Sequence, residues 1–150
     1  MSKKQSRAIK ALRAGIKHFQ QDQPREAEVR LREALRLAPE LGDAHNNLGV
    51  LLASTNRMAE ARVAFKHAFE LAPKDLEAAR NLAVTALRTG ATEQALEALF
   101  AAVALAPNEV ALRTTLAQTL ADAGRFRDAH QHVAEWASRA PRDPAAHAAL

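Results

Sequence analysis

A small–large–small triplet of apolar residues marks the chain from early on. Ala27, Leu31 and Ala34 stand at i, i+4 and i+7, the spacing that lines one face of a helix. The triplet returns as Ala61, Phe65 and Ala68, then as Ala95, Leu99 and Ala102. A fourth copy reads Ala129, Val133 and Trp136. A second apolar pair precedes each triplet: Ala14–Gly15, Leu48–Gly49, Leu82–Ala83 and Leu116–Ala117. After each triplet comes a proline, in the phrases ALRLAP, AFELAP, AVALAP and WASRAP. Those prolines, 39, 73, 107 and 141, are 34 residues apart.

Internal periodicity of this length is the signature of a stacked-repeat architecture. With the proline set at position 32, the units are 8–41, 42–75, 76–109 and 110–143. Residues 1–7 form a basic tip, and 144–150 a partial fifth unit or capping helix. The whole chain, 1–150, reads as one domain. Each unit predicts two helices, over about positions 1–14 and 17–30. Position 15 holds Asp22, Asn56, Gly90 and Gly124, residue types that accept the left-handed backbone common just beyond a helix C-terminus. Pro24 suits the first turn of a second helix, and the position-32 prolines end each second helix. Asp75 and Asp143 are placed to cap the first helices that follow them, with Pro144 in the first turn.

The small residues at positions 8 and 20 predict close approach of the two helices within a unit. The larger residues at positions 7 and 24 are expected to fill the space between units. One helix pair cannot bury its own apolar face, so stacking must supply the core.

These residues together resemble the tetratricopeptide repeat: large–small at positions 7 and 8, Ala at 20, apolar at 24, Ala at 27 and Pro at 32. Trp136 departs at position 27. Position 4, often Trp in that family, is Ala11, His45, Ala79 and Arg113, and position 11, often Tyr, is His18, Leu52, Ala86 and Leu120. Arg113 marks the fourth unit as turning terminal. The resemblance implies an all-α fold, a right-handed α-solenoid of antiparallel helix pairs whose first helices line a concave groove. It also implies that positions 2, 5, 6, 9, 12 and 13 of the first helices face that groove.

Stacked solenoids usually act by surface recognition. The expected ligand is a protein or peptide, held in the groove by Arg13, Ile16, Asn46, Asn47, Val50, Arg80, Asn81, Val84, Leu87, Arg88, Thr115 and Gln118. Asn47 and Asn81 share one repeat position, between Arg13 and Thr115 in the same row, and a side-chain amide offers both donor and acceptor to a peptide backbone. The row is similar to that of peptide-binding members of the family. Ile9, Leu12, Ile16 and Phe19, with Val50, Val84 and Leu87, read as an exposed apolar patch along the groove. The family members that grip a chaperone's C-terminal carboxylate use Lys at position 5, Asn at 9, Asn at 6, Lys at 2 and Arg at 6 across three units. Here that frame reads Leu12, Ile16, Asn47, Glu77 and Asn81, and the next reads Asn46, Val50, Asn81, Ala111 and Thr115. Only the shared Asn agrees, which argues against that ligand.

Composition sharpens this picture. Alanine supplies 36 of the 150 residues and leucine 19, whereas aromatics make up 4%, a balance that favours helix over sheet. Cysteine is absent, which removes disulfides, zinc–thiolate sites and thiol catalysis. No apolar run reaches the ~18 residues of a membrane span. The net charge of +4 is uneven: residues 1–17 hold Lys3, Lys4, Arg7, Lys10, Arg13 and Lys17 and no acid, so residues 18–150 sum to −2. That start lacks the apolar core of a secretory signal, and a cytoplasmic protein is expected. With few aromatics for stacking, nucleic-acid binding is not expected. The spacing of the six histidines suits no metal ion: His130 and His132 point to different sides of a helix, His45 and His147 share position 4, and His18 and His67 stand alone. Glu26, Glu28, Glu33, Glu60 and Glu70 read as solvated ion pairs with neighbouring Arg on the second helices. No cofactor motif is present and no enzymatic activity is expected.

Two rival readings stay open. The chain reads alternatively as the targeting portion of a larger enzyme, such as a glycosyltransferase or sulfotransferase, or as a homodimeric chaperone-like adaptor.

Overall fold

Residues 1–139 and 144–148 are described by the computed structural model. The side chains of Ala146 and His147 are not described. Pro141 and Asp143, expected to end one helix and cap the next, lie outside the described residues.

All regular elements among the described residues are helical. In chain order they are α1 (Lys3–Gln20), α2 (Pro24–Leu37), α3 (Gly42–Ser54), α4 (Met58–Leu71), α5 (Leu76–Arg88), α6 (Thr92–Leu105), α7 (Val110–Asp122), α8 (Phe126–Arg139) and the short α9 (Pro144–Ala148). Each helix packs on the next in sequence, and contact between helices further apart is slight. That is the quasi-one-dimensional order of a solenoid. One core nonetheless runs the length of the stack, from Ala11 in α1 to Ala129 in α8.

The turns follow from position 15. Asp22, Asn56, Gly90 and Gly124 have φ of 57°, 62°, 70° and 74°, so each helix pair reverses through one left-handed residue. The second helices end at Leu37, Leu71 and Leu105, two residues before Pro39, Pro73 and Pro107. Asp75 caps α5 by accepting the Glu77 backbone N–H at 2.9 Å.

The first helix departs from the expected register. It begins at Lys3 rather than near residue 8, so the basic tip is itself helical. A capping box explains the early start: the Ser2 hydroxyl accepts the Gln5 N–H at 3.1 Å, and the Gln5 side chain accepts the Ser2 N–H at 3.0 Å. Ala8 then anchors this extension on Leu37, Ala38 and Leu41.

Packing within the pairs corrects another expectation. Position 24 does not serve only the space between units. A Cβ added at Gly15 would lie 2.8 Å from Leu31 Cγ, and one added at Gly49 would lie 2.6 Å from Phe65 Cε1. The large residue at 24 therefore sits directly on the small residue at 8 of its own pair. Position 28 carries a further joining residue: Leu35 lies beside His45, Leu48 and Leu52 of the next pair, and Phe69 and Val103 are buried at the same repeat position.

Position 4 forms a polar latch across two junctions. His45 Nε2 donates to the Pro39 carbonyl at 2.8 Å, and Arg113 Nε donates to the Pro107 carbonyl. Arg113 is buried, and its guanidinium carbon lies 5.9 Å from the centre of the Trp136 ring. Trp136 in turn packs with Ala137 and Ala145, so the departure at position 27 closes the contact between α8 and α9.

Candidate functional site

The first helices carry the candidate binding residues, and polar bonds tie several of them side by side. Asn81 Nδ2 on α5 donates to Asn46 Oδ1 on α3 at 3.0 Å. Asn46 Nδ2 donates in turn to Glu77 Oε1 at 3.2 Å. Arg80 pairs with Glu109, at the start of α7. Positions 5 and 6 of successive first helices therefore meet on one surface. Glu109 stands at position 34, outside the positions from which a groove is usually read, and only its charge opposite Arg80 signals it.

Much of the asparagine row is already engaged. Asn47 Nδ2 donates to the Asp43 carbonyl of its own helix at 2.8 Å, and Thr115 Oγ1 donates to the Ala111 carbonyl at 2.8 Å. Among the described residues, the amide oxygens of Asn47 and Asn81 have no partner. The cations Arg13 and Arg88 are exposed and also unpartnered among the described residues. Gln118 bonds Asp122 at 2.7 Å. It also borders a cavity of ≈ 280 Å³ at the end of the stack, with Thr114, Ala117 and Val133.

The apolar patch divides. Val50, Val84 and Leu87 are 36%, 54% and 40% exposed. Leu12 is buried at 7%, and Ile16 and Phe19 rest half-buried against the core, whereas Ile9 is half-buried beside a cavity lined by Met1, Gln5 and Leu41. Helical spacing alone could not tell these cases apart, because it marks a helix face as apolar without saying what packs on it.

The outer surface of the second helices holds a lattice of charges. Arg57 bonds both Glu28 and Glu60, and Arg32 bonds Glu28. Burial pushes the Glu28 carboxyl up, but hydrogen bonds and charge from Arg57 and Arg32 outweigh it and hold the group below its ordinary value. Glu33 pairs with Arg30 as expected, whereas Glu70 faces Lys66 and His67 rather than an arginine. Glu26 has no ion-pair partner among the described residues. The histidines also differ from expectation. His67 is not isolated, since its ring centre lies 5.1 Å from that of His45. His18 Nδ1 lies 2.6 Å from Gln23 Oε1. Among the described residues, no group of three or more His, Asp or Glu could hold a metal ion. Nor is any helix among them long and apolar enough to cross a membrane.

Comparison with known proteins agrees with the helix-pair geometry. Two tetratricopeptide-repeat family models match, one over residues 12–68 and the other over 86–150. The chain belongs to the tetratricopeptide-repeat family. No curated protein matches the sequence significantly. Among solved structures, the chain is similar to YrrB, described as a TPR protein with an unusual peptide-binding site (TM-score 0.74, 20% identity, 89% of this chain and 69% of that one). It is also similar to the first TPR of Spaghetti (RPAP3) bound to the HSP90 peptide SRMEEVD (0.65, 17%, 80% and 98%). A third is the Thermobaculum terrenum O-GlcNAc transferase, of which 27% is covered (0.64, 20%, 93% of this chain). At these identities the likeness is one of fold.

Proposed function

We propose that this chain is a non-enzymatic interaction scaffold that holds a peptide or helix against its first helices. The observation that carries the reading is the pairing of unfilled polar and apolar groups there. Asn47 and Asn81 present free amide oxygens at one repeat position. Val50, Val84 and Leu87 expose apolar surface beside them. Amide oxygens accept peptide N–H groups, and the apolar side chains gain by losing water. Arg13 and Arg88 would add contacts to acidic side chains of the ligand. One structure of similar fold bound to a peptide, and another described as having a peptide-binding site, support this reading.

A terminal carboxylate is a poor candidate for this surface. Glu77 stands where a clamp would need a cation, and Arg80 is already paired with Glu109.

The test uses peptides selected on the purified full chain by display, then Asn47→Ala, alone and with Asn81→Ala. The single change spares the tie between Asn81 and Asn46. Binding should weaken roughly tenfold in the double variant, about the loss of one or two hydrogen bonds to a ligand. Unchanged affinity in a folded double variant overturns the assignment.

The similarity to part of a glycosyltransferase favours one second reading, a targeting portion joined to an enzyme. A stop codon directly after Leu150 in the genomic reading frame would remove it.

A further inference from the structure

The most unbalanced surface of the molecule lies away from the groove, on the outer face of α1. Lys3, Arg7, Lys10 and Lys17 are at i, i+4, i+7 and i+14, with Ala14 among them at i+11. One helix face holds them all, over about 21 Å of axis. Every one of the four is exposed, and none has an acidic partner among the described residues. Lys3 and Lys4 occupy the first turn, where the helix dipole opposes positive charge, and that turn holds no acid. Fold stability gives no reason for this arrangement.

Beside the stripe is a cavity of ≈ 420 Å³ between α1 and α2, lined by Arg7, Lys10, Ala11, Ala14, His18, Arg30 and Glu33. Its place in the repeat says what shape it fits. Ala11, Ala14 and His18 are positions 4, 7 and 11. In the second pair the same positions are His45, Leu48 and Leu52, and Leu35 of the preceding helix α2 lies against them. In front of α1 no described helix takes the part that α2 takes in front of α3. The slot has the register of a second helix, a narrow floor of two alanines and a cationic border.

We propose that this slot docks an acidic amphipathic helix supplied by another polypeptide. An apolar side chain of the guest would rest on Ala11 and Ala14, as Leu35 rests in the next slot. Carboxylates flanking it would meet Arg7, Lys10, Lys17 and Arg30. Arg30 already holds Glu33 at 2.9 Å, so a guest carboxylate would share it. A nucleic-acid strand fits less well. The floor itself is alanine, from which a phosphate backbone gains nothing, and His18 is the one ring among the lining residues on which a base could stack.

The probe is a stapled peptide carrying the 14-residue α2 sequence, Pro24–Leu37, with R25E, R32E and R36E, titrated against the full chain. Binding should be measurable by fluorescence anisotropy and should weaken as salt rises. The stapled peptide with its native arginines should bind at least roughly tenfold more weakly, since like charges then face each other. R7E with K10E on the protein should abolish binding. A14F should do the same while leaving every charge in place, because it fills the floor. Circular dichroism confirms that each variant stays folded. Three outcomes overturn the proposal: no binding by the acidic peptide, binding that A14F leaves intact, or equal competition by single-stranded DNA of similar length. The second and third would define a general polyanion surface instead. Because these substitutions lie off the groove, the result is independent of the asparagine test.

Discussion

The first two helix pairs and the last two use one repeat in different ways. In α1–α2 and α3–α4, position 8 is glycine and the residue at 24 sits where a Cβ would be. In α5–α6 and α7–α8, the same positions are Ala83 with Leu99 and Ala117 with Val133. Leu31 and Leu99 are the same residue, yet one faces glycine and the other alanine. Position 24 therefore cannot be read alone, because the residue at 8 decides how much room it has. The turns divide along the same line, with Asp22 and Asn56 in the first half and Gly90 and Gly124 in the second. A side chain has thus moved from the turn to the interface.

The comparison breaks most sharply at Gly49. Gly49→Ala gains about 1 kcal/mol of helix propensity but drives a methyl into the buried Phe65 ring, so a net loss of about 1–2 kcal/mol is expected. Adding Phe65→Leu converts the pair to the alanine–leucine solution of α5–α6 and should restore much of that loss. Urea denaturation of both singles and the double tests this, and additive losses would refute the pairing.

Exchanging the turns should cost less. Gly90→Ala forces a Cβ into a left-handed backbone, for about 1 kcal/mol. Asn56→Gly relieves that constraint and should be neutral or mildly stabilising. The thermal unfolding midpoint should fall for Gly90→Ala and hold or rise for Asn56→Gly.

Each half also carries one imidazole held below the ordinary value of 6.5, chiefly by burial. His67 adds charge beside His45, with Arg32 and Glu60 around the same cavity. Arg113 adds charge beside His132, while Glu135 pulls the other way and Arg125 and Asp128 line the same crevice. A base depressed in the folded state leaves the unfolded chain binding more protons as pH falls. Stability is therefore whole above the ordinary value and is lost as pH drops from there toward the folded one. From about pH 7.5 to 5.5 the urea midpoint should fall, and His45→Gln or His132→Gln should each flatten part of that slope.

The smallest effect is expected on the outer surface. Glu28→Gln should cost less than ~1 kcal/mol, because Arg57 keeps Glu60 and solvent screens the remainder.

The helices were legible because their limits are written in single residues: a left-handed turn at 15 and a proline at 32. The early start of α1 was not, since Ser2 and Gln5 stand outside the repeat and act only on each other. The groove was legible in part. Periodicity put Asn46, Asn81 and Arg80 on one surface, but it could not tell that Asn46 and Glu109 already occupy two of them. Those ties run between residues 29 to 35 positions apart, which a helical period within one segment does not report. Leu12 illustrates the same limit: it stands at a groove position of the repeat, yet it is buried in the core.

The stacking of Arg113 on Trp136 also gives the protein a localised optical reporter. Trp136 is the sole tryptophan, buried where α7, α8 and α9 meet. Its emission follows one end of the array, whereas circular dichroism averages over every helix. In a chain coupled only between neighbours, the two signals can melt at different temperatures. Their separation then measures how far cooperativity extends along the stack, with no label added.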